Sequence, residues 1–169
     1  MIFVTVGTHE QPFNRLVAAI DELKRKGIIQ EEIVIQTGFS TYKPETCYWQ
    51  KLFPYEDMVR YVSKARIVIT HGGPSSFIMP LQIGKVPVVV PRQKKFNEHV
   101  NDHQVEFVRA VAERQGNILV VEDIEEMGKV IGNYAEMVGD LKTEIKSNNQ
   151  VFLEHFEKMV TEIFDGRNS

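Results

Sequence analysis

At 169 residues the chain has the length of one domain, large enough for a real hydrophobic core. Its 43% hydrophobic and 25% charged content is ordinary for a soluble globular protein, and a net charge of -3 leaves no electrostatic footprint for nucleic acid. The single cysteine, Cys47, excludes an internal disulfide framework and fits a reducing compartment. The start, Met1 to Gly7, is too short and uncharged for a signal peptide. No apolar run approaches the ~20 residues a membrane helix needs, so membrane contact is expected to be peripheral or through a partner.

In chain order, Ile2 to Val6 is a short apolar run ending at Gly7, which reads as a buried strand. Phe13, Leu16, Val17, Ile20 and Leu23 follow helical spacing, and Gly27 closes that helix. Ile33 to Ile35 is a second strand ending in a turn at Thr37-Gly38, and Cys47 to Phe53 a third, weaker one. Pro54 opens a short helix carrying Met58, Val59, Tyr61 and Val62. Arg66 to Thr70 is a strand that runs into His71-Gly72-Gly73, and a helix over Pro74 to Ile83 follows. Val86 to Pro91 is another strand with prolines at its ends, and Arg92 to Asn97 a basic loop. From Glu98 the pattern predicts a helix that Gly116 terminates, then a last strand at Ile118 to Val121. Asp123 with Glu126 has the form of a capping pair for a helix from Ile124 to about Val138. Asp140 to about Phe164 reads as a further amphipathic helix, polar in its middle at Lys146 to Gln150.

Strand and helix alternate about six times, and most strands are apolar without alternation. That pattern predicts an α/β fold, a Rossmann-like parallel sheet with helices on both faces, forming a single domain over residues 1–165. Ligands in such sheets sit beyond the carboxyl ends of the strands. The residues expected there are Gly7-Thr8-His9-Glu10, Thr37-Gly38, His71-Gly72-Gly73 and Arg92-Gln93-Lys94-Lys95, all polar or glycine-rich.

Val4-Thr5-Val6-Gly7-Thr8, Gln36-Thr37-Gly38, Thr70-His71-Gly72-Gly73 and Asn101-Asp102-His103-Gln104 occur in this order. Together with Pro74-Ser75-Ser76, Val90-Pro91-Arg92 and Glu98-His99-Val100 they make the chain resemble the C-terminal, nucleotide-sugar-binding half of glycosyltransferase family 28. It is similar to the cytosolic catalytic subunits of two-component transferases, those of bacterial exopolysaccharide and capsule and of lipid-linked oligosaccharide synthesis. The resemblance covers about Ile2 to Val121. It implies one half of a GT-B enzyme, a membrane-anchored partner that binds a lipid-linked saccharide acceptor, and inverting transfer from a UDP-sugar without metal or cofactor. It also implies a cytoplasmic chain recruited to the inner face of the membrane through that partner. One position departs from the peptidoglycan transferases of the family, which carry an acidic ribose-binding residue seven positions before the proline of the next strand. Here that position is Pro80.

Gly7 and Thr8 offer amides and a hydroxyl to a diphosphate, or form a plain strand-to-helix turn. His71, Gly72, Gly73, Ser75 and Ser76 form the strongest phosphate candidate, a glycine approach to a helix start; the alternative is glycine for close packing. His9 and Glu10 stand at the cleft edge as candidate general bases, although the base could sit on the partner or the two be merely solvated. Arg92, Lys94 and Lys95 are available for a diphosphate or an anionic membrane surface, or are a merely solvated charge run. His99 and His103, at i and i+4 of the expected helix, suggest metal, but no His-Glu-x-x-His pattern or third ligand accompanies them. The family instead implies that Asp102, His103 and Gln104 bond sugar hydroxyls, with Gln36, Thr37 and Gly38 also at the nucleotide-sugar. Tyr48, Trp49 and Phe53 line a base pocket or belong to a core or partner-facing cluster. Phe152, Phe156, Val160 and Ile163 on the last helix are core or a docking element for the partner. The competing function is a non-catalytic nucleotide-sugar-binding or enhancer subunit.

Overall fold

The computed structural model describes residues 1–141 and 155–162. Six strands alternate with helices: β1 (Ile2–Thr5), α1 (Asn14–Arg25), β2 (Ile33–Gln36), β3 (Tyr48–Gln50), α2 (Tyr55–Lys64) and β4 (Ile67–His71). Then come α3 (Pro74–Gln82), β5 (Val88–Val90), α4 (His103–Gln115), β6 (Leu119–Val120), α5 (Met127–Gly132) and α6 (Tyr134–Asp140). All strand pairs are parallel, in the order β3-β2-β1-β4-β5-β6. The strand order reverses between β1 and β4, where a doubly wound sheet opens its crevice.

Strand side chains alternate between faces, and here both faces are apolar. Ile2, Val4, Ile33, Ile35, Ile67 and Ile69 meet α1 through Leu16, Val17 and Ile20. Phe3, Val34 and Val68 point the other way, against Phe53 and Val62. Val89 joins Phe77, Phe107 and Val108 of α3 and α4 on that second face. Each such side chain, fully buried, contributes about 1.5–3 kcal/mol. Along the register, Thr5 lies level with Gln36 on one side and Thr70 on the other, so the carboxyl edge begins as a polar row.

Glycines stop two helices in the left-handed conformation: Gly27 (φ +72°) after α1 and Gly116 (φ +59°) after α4. The long connection after β2 is pinned by a buried carboxylate. Asp21 accepts the Thr46 amide (2.9 Å) and hydroxyl (2.6 Å), the Glu45 amide (3.1 Å) and the Tyr42 hydroxyl (2.8 Å). Burial alone would raise this carboxyl, but the Thr46, Tyr42 and Glu45 bonds outweigh it and hold the pKa at about 2.

Two expected elements differ. The helix foreseen from Glu98 begins only at His103, because the Asn101 side chain captures the His103 amide (3.1 Å) and turns the chain there. His99 and His103 therefore do not share a helix face. The helix foreseen over Ile124–Val138 is a 3-10 turn (Ile124–Glu126), then α5 and α6 separated at Asn133. The Asp123 side chain accepts the Glu125 amide (3.0 Å), and it is the Asp123 backbone carbonyl that accepts the Glu126 amide (3.1 Å). Of the last helix, 155–162 is helical, whereas Phe152 and Ile163 lie outside the described residues. Phe156 packs edge-on against Phe77 (5.8 Å) and Phe107 (6.3 Å), so with Met159 it completes this chain's own core.

Candidate functional site

A cleft of about 580 Å³ opens at the carboxyl edge, at the reversal point between β1 and β4. The turn after β1 brings Gly7, Thr8 and His9 to it, and the turn into α3 brings His71, Ser75 and Ser76. Gln36 and Gln104 close the polar side. The opposite side is apolar: Leu52, Phe53, Tyr55, Met58, Val62 and Met79. Met58 and Val62 read in sequence only as the core face of a helix, and Tyr55 and Leu52 carried no signal. What could have found them is their place just past β3, at the same edge of the sheet.

His71 is the centre of the polar side. Its Nδ1 accepts the Gly73 amide (3.0 Å), and its Nε2 lies 2.6 Å from the Ser76 hydroxyl. A Cβ on Gly7 would stand 2.3 Å from Nε2, and one on Gly73 2.2 Å from Cε1. Both glycines thus seat the imidazole between two turns. Gly7 also needs its left-handed backbone (φ +76°). Burial, and then the charge of Arg92, push His71 down to about 3, so the ring is neutral.

The glycine amides are not free as the sequence suggested. Gly73 gives its N–H to His71, Gly72 to Gln104 Oε1 (3.1 Å), and Gly7 to the Thr5 hydroxyl (3.2 Å). Ser76 N–H bonds the Gly73 carbonyl (3.1 Å). The Ser75 amide, in the first turn of α3, has no helical carbonyl behind it. The side chains of Thr8, Ser75, Ser76 and His9 are the donors that line the cleft.

Arg92 is corrected outright. It is fully buried, and its guanidinium bonds the carbonyls of Val6 (2.8 Å), Gln11 (2.7 Å) and Glu98 (3.1 Å). It ties the β1 turn to the turn after β5 and has no face toward a ligand. Beside it, Glu98 takes a two-pronged bond from Arg15 (2.8 and 3.0 Å) and accepts the Gln93 amide (3.0 Å).

Thr37 and Gly38 also lie off the cleft lining. Their amides bond Gln50 and Lys51 carbonyls (both 2.9 Å), closing the turn between β2 and β3. Gly38 matters by its lack of a side chain, since a Cβ there would meet the Gly7 carbonyl at 2.5 Å. Gln36 lines the cleft, but its amide is engaged by Thr5 (3.0 Å) and the Phe53 N–H (2.9 Å). Gln104 likewise spends its carbonyl on the Gly72 and Arg92 amides (3.1 and 3.0 Å). Asp102 is exposed and accepts the Lys94 amide (2.9 Å), and His103 opens α4; neither lines the cleft. Trp49 bonds the Pro44 carbonyl (3.1 Å), and Tyr48 faces solvent.

At the cleft mouth His9 lies against His99, ring centres 4.7 Å apart, a neighbour the sequence reading considered only for metal. Both repeat the His71 arrangement: His9 Nδ1 accepts the Gln11 amide (3.2 Å) and His99 Nδ1 the Asn101 amide (3.4 Å). A backbone N–H can only donate, so in each neutral ring the proton rests on Nε2. Burial lowers both pKa values. Arg92 lowers His9 further while Glu10 opposes, and His9 and Arg92 lower His99 further. Glu10 is exposed beside them. Among the described residues no three of His, Cys, Asp and Glu gather as a metal site. Burial pushes the Cys47 thiol up to about 11, which makes it unreactive.

Comparison with known proteins agrees with this geometry. The chain is similar to the UDP-N-acetylglucosamine transferase subunit ALG13 of Homo sapiens, 32% identical over 107 residues, covering 58% of this chain and 9% of that protein. It is similar to the subunit of the same name from Yarrowia lipolytica, 34% identical over 73 residues, covering 43% of this chain and 35% of that one. The chain thus spans well under half the length of these relatives. Its fold is shared with the crystal structure of the glycotransferase of kitacinnamycin, with a TM-score of 0.51 at 15% identity over 94% of this chain and 42% of that one. Residues 1–163 match the glycosyltransferase family 28 C-terminal domain, and the chain belongs to that family.

Proposed function

We propose that the chain is the donor-binding, catalytic subunit of a two-component inverting glycosyltransferase. It holds a UDP-sugar in the cleft. With a membrane-anchored partner it passes the sugar, of the galactose or N-acetylglucosamine class, to a polyprenyl-diphosphate-linked saccharide of surface polysaccharide synthesis. The observation that carries this reading is the two-sided cleft at the sheet's reversal point: side-chain donors from two strand-to-helix turns face an apolar wall. The donors suit a diphosphate, and the wall around Phe53, Tyr55 and Met58 suits the flat face of a base. The names of the two relatives point to the same class of donor.

In the transfer, the acceptor hydroxyl oxygen attacks the anomeric carbon. The bond to the diphosphate breaks, its electrons leave with UDP, and a base takes the hydroxyl proton. The Thr8, Ser75 and Ser76 hydroxyls and the start of α3 face the charge that develops on the diphosphate, a preorganised effect that costs no rearrangement. In this proposal the protein's own donors meet that charge and no metal takes part. Glu10 is the better candidate base on this chain. His9 carries its proton on Nε2, so in the observed conformation it is a donor, and it becomes a base only if the Gln11 amide is released. The same observation favours the second reading, in which the base belongs to the partner and this chain only presents the donor. No helix among the described residues is long and apolar enough to cross a membrane, so recruitment to the inner face falls to the partner.

Calorimetry with UDP and a panel of UDP-sugars tests the donor site. Micromolar binding of UDP is expected, and failure of every uridine nucleotide to bind overturns the proposal. In the reconstituted complex Glu10→Ala should abolish turnover while donor binding survives. Full turnover by that variant moves the base to the partner.

A further inference from the structure

Resting on the reading of the cleft as a diphosphate site, we propose that His71, although on the cleft wall, spends both ring nitrogens inside the protein and is a positioning residue that fixes the Ser76 hydroxyl as a donor into the cleft. Both imidazole nitrogens are occupied inside the protein, one by the Gly73 amide and one by the Ser76 hydroxyl. The direction of the second bond follows from the first. Because Gly73 N–H must donate, Nδ1 holds a lone pair and Nε2 holds the proton. Nε2–H then donates to Ser76 Oγ. The reverse arrangement would place a hydrogen on Nδ1 facing the hydrogen of the Gly73 amide, which repels. With its oxygen accepting from the ring, Ser76 keeps its own proton for an outside acceptor, and among the described residues no other protein group bonds that hydroxyl. Ser76 lines the cleft, so the outside acceptor is whatever oxygen the ligand presents there.

The ring cannot swing out to serve the ligand itself. Positions where Cβ atoms would sit on Gly7 and Gly73 lie 2.3 and 2.2 Å from its atoms, so the two turns clamp it from both sides. Its neutrality keeps the relay oriented: a protonated ring would lose the Nδ1 lone pair and with it the Gly73 bond. Gly73, His71 and Ser76 therefore form a chain of donors that begins at the backbone and ends at the anion, each bond polarising the next.

The test is a double-mutant cycle read by UDP affinity in the full chain, with thermal unfolding as a fold control. Ser76→Ala should weaken UDP binding by about ten-fold or more, as the loss of one hydrogen bond to a charged group. His71→Asn keeps an acceptor for the Gly73 amide but cannot reach Ser76. It should cost a similar factor alone and less than about two-fold in the Ser76→Ala background, the coupling expected of residues acting as one unit. His71→Gln, whose amide nitrogen reaches the Nε2 position, should recover most of the loss. Equal factors for His71→Asn in both backgrounds overturn the positioning role while leaving the diphosphate site intact. A parent chain that binds no UDP overturns both. Should the variants unfold, nitrogen NMR of the imidazole in the unaltered protein decides: a bare Nδ1 and protonated Nε2 at pH 6 support the relay, and the opposite tautomer or a charged ring overturns it.

Discussion

Two polar clusters stand side by side at the carboxyl edge of one sheet, and they are built to opposite ends. In the first, Glu98 pairs with Arg15 through both carboxylate oxygens, and Arg92 spends its two terminal nitrogens on the backbone oxygens of Val6, Gln11 and Glu98, leaving only the buried Nε without a partner among the described residues. In the second, His71 bonds the Gly73 amide and the Ser76 hydroxyl and His9 bonds the Gln11 amide, yet all three side chains line the cleft. The most cationic group at this edge is thus structural, while neutral hydroxyls and imidazoles form the candidate site. A charge is available to a ligand only when the protein has not already spent its donors, and a buried guanidinium costs too much to leave unspent.

Removing Arg92 is the severest trial of that contrast. Arg92→Ala should destabilise the fold by about 3–5 kcal/mol, since it strands three carbonyls and opens a cavity. Urea unfolding measures it; unchanged stability with collapsed UDP affinity would move Arg92 to the cleft. Acidification should follow in size. The His71 pKa is about 3 in the fold against 6.5 unfolded, so below pH 6.5 the unfolded chain binds a proton that the native one refuses. Stability should therefore fall with pH from about 6.5 toward 3, by up to about 1.4 kcal/mol per pH unit. Asp21, held at about 2 against 3.8, removes more as pH falls through that lower window. A His71→Gln protein should lose most of the upper slope, with a smaller part left by His9 and His99, whose pKa values are also lowered, and keep the lower one.

Gly7→Ala probes the clamp on the imidazole. A methyl 2.3 Å from Nε2, on backbone at φ +76°, should cost about 1–3 kcal/mol and also weaken UDP binding, because the ring must shift. Stability lost with full affinity would separate His71 from the ligand site. The mildest change is Asp102→Ala, which removes one exposed bond to the Lys94 amide and should cost at most about 1 kcal/mol. Its affinity for UDP alone should stay within two-fold. A selective loss for UDP-sugar over UDP would show that Asp102 meets the sugar as the family resemblance implies.

The sequence by itself determined the alternation of strand and helix, the apolar character of both sheet faces and the glycine stops after α1 and α4. Those properties are local: period, propensity and the left-handed tolerance of glycine act within a few residues. It also placed Gly7, His9, His71 and Ser76 at one edge, because a parallel sheet collects the ends of its strands. Only the tertiary structure decided which of those groups remain free. Arg92 closes on Val6 across 86 positions and Gly72 on Gln104 across 32, and His99 meets His9 from a turn that sequence spacing read as helix. Hydrogen-bond partners between distant loops depend on ångström-scale placement that no residue pattern encodes. The glycines of the His-Gly-Gly turn show the difference best: the sequence marked them as places of close approach, and the fold chose Gln104 as the group that approaches Gly72 and the His71 ring as the one that approaches Gly73.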